Sequence, residues 1–158
     1  MIKNLLEKVV FFDGEDKDFF LKDLDNQVDE GIREVVDAIN TIDDFVTMNS
    51  CQGGGTPYPD TEHCPITYVD FYVLHHNYTL AECFFIFLKR ELGDEVYCKL
   101  SFEEEIYLDD DEYVIPTGGI EYRYRVESLL GYDTQLLQKL AHVIREFKMS
   151  LDRGNGEI

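Results

Sequence analysis

The densest set of groups able to do chemistry is Thr47-Met48-Asn49-Ser50-Cys51-Gln52-Gly53-Gly54-Gly55. Hydroxyl, amide and thiol side chains run into a glycine triplet, and glycines let backbone amides approach a ligand with no Cβ in the way. This pattern points to a ligand-binding loop with Thr47, Asn49, Ser50, Cys51 and Gly53 at its surface. His75 and His76 follow the next apolar run and are candidate partners of that loop. A base beside Cys51 would lower its thiol pKa and make it a nucleophile, although no Cys-His-acid order marks a triad. The competing reading is a tight connection in which Asn49 and Ser50 satisfy local backbone groups.

Other constellations carry less. Cys51, His63 and Cys64, with His75 or His76 as a fourth, offer soft and imidazole ligands, but their spacing is not that of paired zinc fingers, so no metal site is expected. Cys83 and Cys98 fall in apolar patterns and read as small core residues. Residues 103–112 hold seven carboxylates in ten positions, without the Asp-x-Asp-x-Asp-Gly order of a calcium loop. They read as a solvated hairpin at a sheet edge. Lys99, Arg123 and Arg125 alternate with apolar neighbours and share one sheet face with Tyr97 if their strands pair. Such a face could hold a carboxylate or phosphate; the competing reading is cross-strand pairing with Glu103 and Glu121.

Positioning these groups requires an α+β domain. Asp25 can cap a helix with Val28, Ile32, Val35, Val36 and Ile39 at helical spacing. Phe45 to Ser50 reads as a strand that empties into the glycine loop, with Pro57 and Pro59 beyond it, and Ile66 to Leu74 alternates as a second strand. Thr79 and Glu82 have capping-box spacing at the start of a second helix that Gly93 ends. Val96 to Phe102 and Ile120 to Val126 alternate as two more strands, with Pro116-Thr117-Gly118-Gly119 as the turn signal between them. A last helix runs from about Thr134 to Leu151 with His142 at its surface. The order α-β-β-α-β-β-α predicts a mainly antiparallel four-stranded sheet with helices packed on one face. The expected unit is one domain over residues 1–158, with 1–24 and 152–158 peripheral.

The helix, short strand and Ser50-Cys51-Gln52-Gly53 loop resemble, in the same order, the Ser-Cys-x-Gly segment of the wybutosine-synthesis methyltransferase-like family. The resemblance spans residues 28–76 and is specific over Thr47 to Gly53. It implies an α+β fold, S-adenosylmethionine as cofactor and methylation of a modified guanosine in tRNA. A histidine often follows the second strand in that family, where His75 and His76 stand here. The basic residue expected after the matching glycine is Gly54, and that departure detaches the fold from the tRNA substrate.

The chain has 158 residues, 44% of them apolar and 30% charged, enough to bury one core. Against 14 Lys and Arg stand 33 Asp and Glu, a net charge of -19. Nucleic acid and anionic membranes are poor partners for such a surface, because both are bound by neutralising phosphates with cations. The longest apolar run, Cys83 to Leu88, is far below the ~20 residues of a membrane span. No signal-peptide pattern opens the chain, and four cysteines fit a reduced, cytoplasmic protein, which makes the Asn77-Tyr78-Thr79 sequon incidental. Two functions follow: a small-molecule-binding protein with a methyltransferase-like site at the loop, or a non-enzymatic acidic protein that binds a basic protein as an inhibitor or nucleic-acid charge mimic. A homodimer is expected if the sheet face bearing Tyr68, Tyr72 and Tyr97 is uncovered.

Overall fold

The computed structural model describes residues 4–5, 7–22, 24–54, 65–128 and 131–156. The helices are α1 (Gly14–Leu21), α2 (Leu24–Gln27), α3 (Arg33–Asn40), α4 (Tyr78–Leu92) and α5 (Thr134–Gly156), and the strands β1 (Phe45–Cys51), β2 (Thr67–Val73), β3 (Tyr97–Leu108) and β4 (Val114–Ser128). The strands form one antiparallel sheet in the order β1-β2-β4-β3. An α+β fold with a four-stranded antiparallel sheet is therefore what the alternating strands and periodic helices produce.

Side chains on opposite faces of a strand alternate, so Val69, Phe71 and Val73 of β2 and Tyr124 and Val126 of β4 point to one side of the sheet. There they meet Val35, Val36 and Ile39 of α3, Ala81, Phe84 and Leu88 of α4, and Leu140, Ile144 and Phe147 of α5. Phe45, Phe71 and Phe84 are fully buried at the centre, with Phe71 5.7 Å from Phe84 and Phe84 5.2 Å from Phe147 between ring centres. The opposite face carries a smaller cluster. Val46, Tyr72 and Leu74 are buried there against Phe12, Phe20, Leu21 and Met48, so the N-terminal helix adds a partial second layer.

Several boundaries depart from the sequence pattern for local reasons. Position 25 lies within α2, because the expected helix is broken at Asp29, whose ψ of 137° is not helical and whose carboxylate accepts the amide of Gln52. Helix α4 starts at Tyr78 with Asn77 as its cap residue, so Thr79 sits inside the first turn; Gly93, with φ of 57°, does end it. Helix α5 continues past Leu151 to Gly156, and Lys148 pairs with Asp152 one turn on. Cys83 is exposed on α4 and not a core residue.

The β3–β4 hairpin is the largest difference. Its turn is Asp109–Tyr113, where Asp109 Oδ1 accepts the amides of Asp111 and Tyr113. Pro116 to Gly119 lie within β4 instead, opposite the step from Glu104 to Ile106, as a bulge in which Gly118 takes a φ of 80°. Thr117 Oγ1 donates to the carbonyl of Glu105 and accepts the amide of Gly119, which holds the bulge closed. Pairing thus continues six residues beyond Phe102. Removing the central ring by Phe84→Ala should cost about 3–5 kcal/mol of folding stability, read as a lowered urea midpoint.

Candidate functional site

The glycine loop is tied into the fold by its own hydrogen bonds. Gln52 N donates to Asp29 Oδ2 at 3.0 Å, Gln52 Oε1 accepts from Gly31 N at 3.1 Å, and Thr67 Oγ1 donates to the Gln52 carbonyl at 2.6 Å. Gly53 N reaches the buried sulfur of Cys51 at 3.4 Å, and the Gly54 carbonyl accepts from Tyr132 N at 3.1 Å. Thr47 exchanges two bonds with the Asn40 side chain, which joins α3 to β1. The amides of Gln52 and Gly53 are thus turned into the fold.

Gly53 is required for packing. Its φ is 83°, and a Cβ there would lie 2.6 Å from Thr67 Oγ1 and 3.0 Å from Thr67 N. Around Thr47, Asn49 and Ser50, with Phe20, Leu24, Gln27, Val28 and Met48, the surface forms a recess of about 100 Å³. Small-molecule sites usually occupy about 300–1,000 Å³. Gly53→Ala should therefore destabilise the fold by about 1–3 kcal/mol, measured by chemical denaturation in the absence of any ligand.

His75 and His76 are not part of this loop. Phe45 of β1 pairs with Val73 and Cys51 with Tyr68, so the histidines follow β2 at the end of the sheet opposite Cys51, about 20 Å away. Both have left-handed backbone, with φ of 56° and 52°. His75 Nδ1 lies 3.1 Å from Asp44 Oδ1, and His76 stacks on Tyr78 with ring centres 5.4 Å apart. They close the β2–α4 connection. His63 and Cys64 lie outside the described residues, and among the described residues no group of three His, Cys, Asp or Glu is placed to hold a metal ion. Burial pushes the Cys98 thiol up to about 11, which keeps it protonated near neutral pH.

The three cations do share the sheet face opposite the main core, and two of them are consumed within it. Arg125 stands directly across from Asp70 and grips it through Nε–Oδ1 at 2.6 Å and NH2–Oδ2 at 2.9 Å. Asp70 is 0% exposed, and the guanidinium also lies 4.0 Å above the Tyr68 ring. That bidentate bond, followed by the Asp70 charge, raises the Arg125 pKa despite partial burial. Arg123 binds Glu103 across the hairpin at 2.8 Å, the cross-strand pairing available from the sequence, and Glu121, two residues back on its own strand, at 3.2 Å. Glu121 also accepts the Tyr72 hydroxyl at 2.9 Å. Phe12 stacks on Tyr72 at 4.2 Å and Phe20 lies 5.4 Å away, so the tyrosine face proposed for dimerisation is covered at Tyr72. Lys99 is exposed beside Arg125, with no ion pair among the described residues.

Burial pushes the Tyr78 and Tyr124 hydroxyls up to about 12, and burial with the neighbouring Glu121 charge raises Tyr72 as well. A tyrosine with a raised folded pKa keeps its proton when the unfolded chain has lost it. The resulting stability is fully present below the ordinary value of 10 and is lost as the pH rises toward about 12. The urea midpoint should fall between pH 10 and 12, and Tyr124→Phe should make that fall shallower.

One feature of the surface lay beyond the motif reading. The β2–β4 pairing ends at Phe71 and Tyr124, while the β3–β4 ladder continues to Leu108 and Val114. Lys8 to Val10 cross β4 once at Ile120 and leave the rest of the arm uncovered by other described strands. Ile106, Tyr107, Leu108, Tyr113 and Val114 are all more than half exposed on it. The signal was present in the sequence as apolar residues interleaved with the acidic run. Searched against protein-family models, curated proteins and solved structures, the chain matches none, so the reading of its surface rests on these contacts.

Proposed function

We propose that the chain is a non-enzymatic acidic interaction protein that engages a basic protein partner through the distal half of its β3–β4 hairpin. The observation that carries this reading is the exposure of five large apolar side chains on an arm that also bears Glu104, Glu105, Asp110, Asp111 and Glu112. Aromatic and aliphatic groups at the centre of a contact supply affinity, and surrounding charge supplies steering and partner choice. Asp109 belongs to the turn and is not free for this task, since its carboxylate holds two backbone amides.

A small-ligand function at the Ser-Cys-x-Gly loop is supported by the sequence resemblance alone. The recess at Thr47 to Ser50 is about 100 Å³ and the amides of Gln52 and Gly53 already have acceptors, while an open recess of about 450 Å³ on the other side of Gln52, lined by Gly31, Glu34 and Tyr132, is the volume a ligand would have to use. Calorimetric titration with S-adenosylmethionine separates the two: the interaction reading expects no binding heat, and saturable binding that is lost in Cys51→Ala would favour the methyltransferase-like one.

The interaction itself is tested by affinity capture from a lysate of the source cells at low and high salt. A basic protein should be retained at low salt and released at high salt, because screening removes surface attraction beyond about 8–10 Å. Retention should fall with Tyr107→Ser/Tyr113→Ser and with Asp110→Asn/Asp111→Asn/Glu112→Gln. Failure to retain any basic protein, or retention indifferent to both variants, would rule the reading out.

A further inference from the structure

The outer edge of β3 is unpaired among the described residues, because β3 ends the strand order. A twelve-residue edge with apolar side chains is a template for another strand. Leu100 is 44% exposed and Phe102 65% exposed, although both lie on the helix-covered face of the sheet. Phe102 rests only one flank on the Tyr122 ring, with centres 4.9 Å apart. The bulge after Glu104 limits the regular stretch of the edge to Tyr97–Glu104.

We infer that a second copy of this chain covers that edge, its β3 antiparallel to the first and the two-fold axis passing through Ser101. The register follows from the order of side chains. With the axis at Ser101, each Lys99 faces Glu103 of the other copy, each Leu100 faces Phe102 and Cys98 faces Glu104. Opposite charges and apolar pairs directly across an antiparallel ladder are favourable. Moving the axis to Leu100 sets Lys99 against Ser101, and moving it to Phe102 sets Leu100 against Glu104. An axis at Lys99 or Glu103 opposes like charges. Only the Ser101 axis satisfies both the lysine and the two apolar residues.

An axis through a residue also fixes the layers. Facing residues then come from equivalent faces of their sheets, so both helix layers fall on the same side and the two sheets become one of eight strands. The contact is self-complementary, as two-fold symmetry requires. Each copy carries a net charge of -19, so raising the salt concentration screens the repulsion between the two and strengthens association. This pairing uses the proximal edge of β3 and does not depend on the partner proposed for the distal arm.

Sedimentation of the full chain at increasing concentration tests the pairing. A monomer–dimer equilibrium that tightens from low to 0.5 M salt is expected at roughly micromolar to millimolar protein, and a monomer throughout overturns the inference. Lys99→Glu sets two glutamates against Glu103 and should weaken the dimer about tenfold. Ser101→Cys is the decisive variant for register. Directly opposed Cα atoms are about 4.5–5.5 Å apart, within disulfide reach, so mild oxidation should link two copies through position 101. A dimer that forms no such link, or one that Phe102→Asp leaves intact while circular dichroism shows the variant folded, overturns the proposed interface.

Discussion

A carboxylate with no exposure stands in the middle of the sheet, and the rest of the molecule is arranged around satisfying it. Asp70 lies on β2, flanked by β1 and β4, where an unpaired charge would cost several kcal/mol. Arg125 answers it with both prongs of a guanidinium from the directly opposed position. That bond fixes the β2–β4 register, because a slip of one residue would carry Arg125 to the other face and leave Asp70 buried alone. The same register places Val69 against Val126 and Phe71 against Tyr124 on the core side. Polar and apolar halves of the sheet are thereby aligned by one ion pair.

Holding Asp70 decides what the cations can do. With 14 cations against 33 carboxylates, a face that gathers Lys99, Arg123 and Arg125 looks suited to an anion. The acid supply within the sheet is larger than the base supply, however. Arg125 is held by Asp70 and lies 3.7 Å from Glu127, and Arg123 is held by Glu103 and Glu121. The buried Arg123 Nε has no hydrogen-bond partner among the described residues, the residue of fitting one guanidinium between two carboxylates and Tyr72. What remains is Lys99, exposed on the edge strand directly across the ladder from Arg125.

The fold was legible wherever a residue's partner is set by alternation or helical period. Val69, Phe71 and Val73 on one face of β2 and Asp70 and Tyr72 on the other need nothing beyond the two-residue repeat. The Arg123 pairing with Glu103 needs only that β3 and β4 form a hairpin, and the one with Glu121 only that the two alternate on one strand. Asp70–Arg125 was not legible, because it requires knowing that β2 lies beside β4, fifty-five positions away. Turn chemistry misled in one place for a definite reason. Pro116-Thr117-Gly118-Gly119 has the composition of a turn, but Asp109 already closes the chain seven residues earlier, and the glycines are used for a bulge. The loop at Cys51 carries two readings for a related reason, since glycines that admit a ligand also admit close packing, and here Gln52 bonds Asp29 and Thr67 while Gly53 packs on Thr67.

The bulge also determines where charge and apolar surface can coexist. From Ser101 to Asp109 the strand runs eight residues, about 26 Å, several times the screening length of about 8 Å at physiological ionic strength. Repulsion from the turn carboxylates therefore reaches the proximal edge only weakly. In the antiparallel arrangement the two turns point in opposite directions, about 50 Å apart, so the two most acidic segments oppose each other little. Conversely, Glu103 to Glu105 sit where the regular ladder ends, and a strand approaching beyond that point meets three consecutive carboxylates. Glu104, whose neighbours across the edge are set by the last regular step, marks the limit of the pairing surface. The net charge of -19 thus does not act uniformly on association: it closes the distal edge to unselective stacking and leaves Tyr97 to Phe102, with Lys99 among them, as the stretch at which a strand of suitable sequence can add.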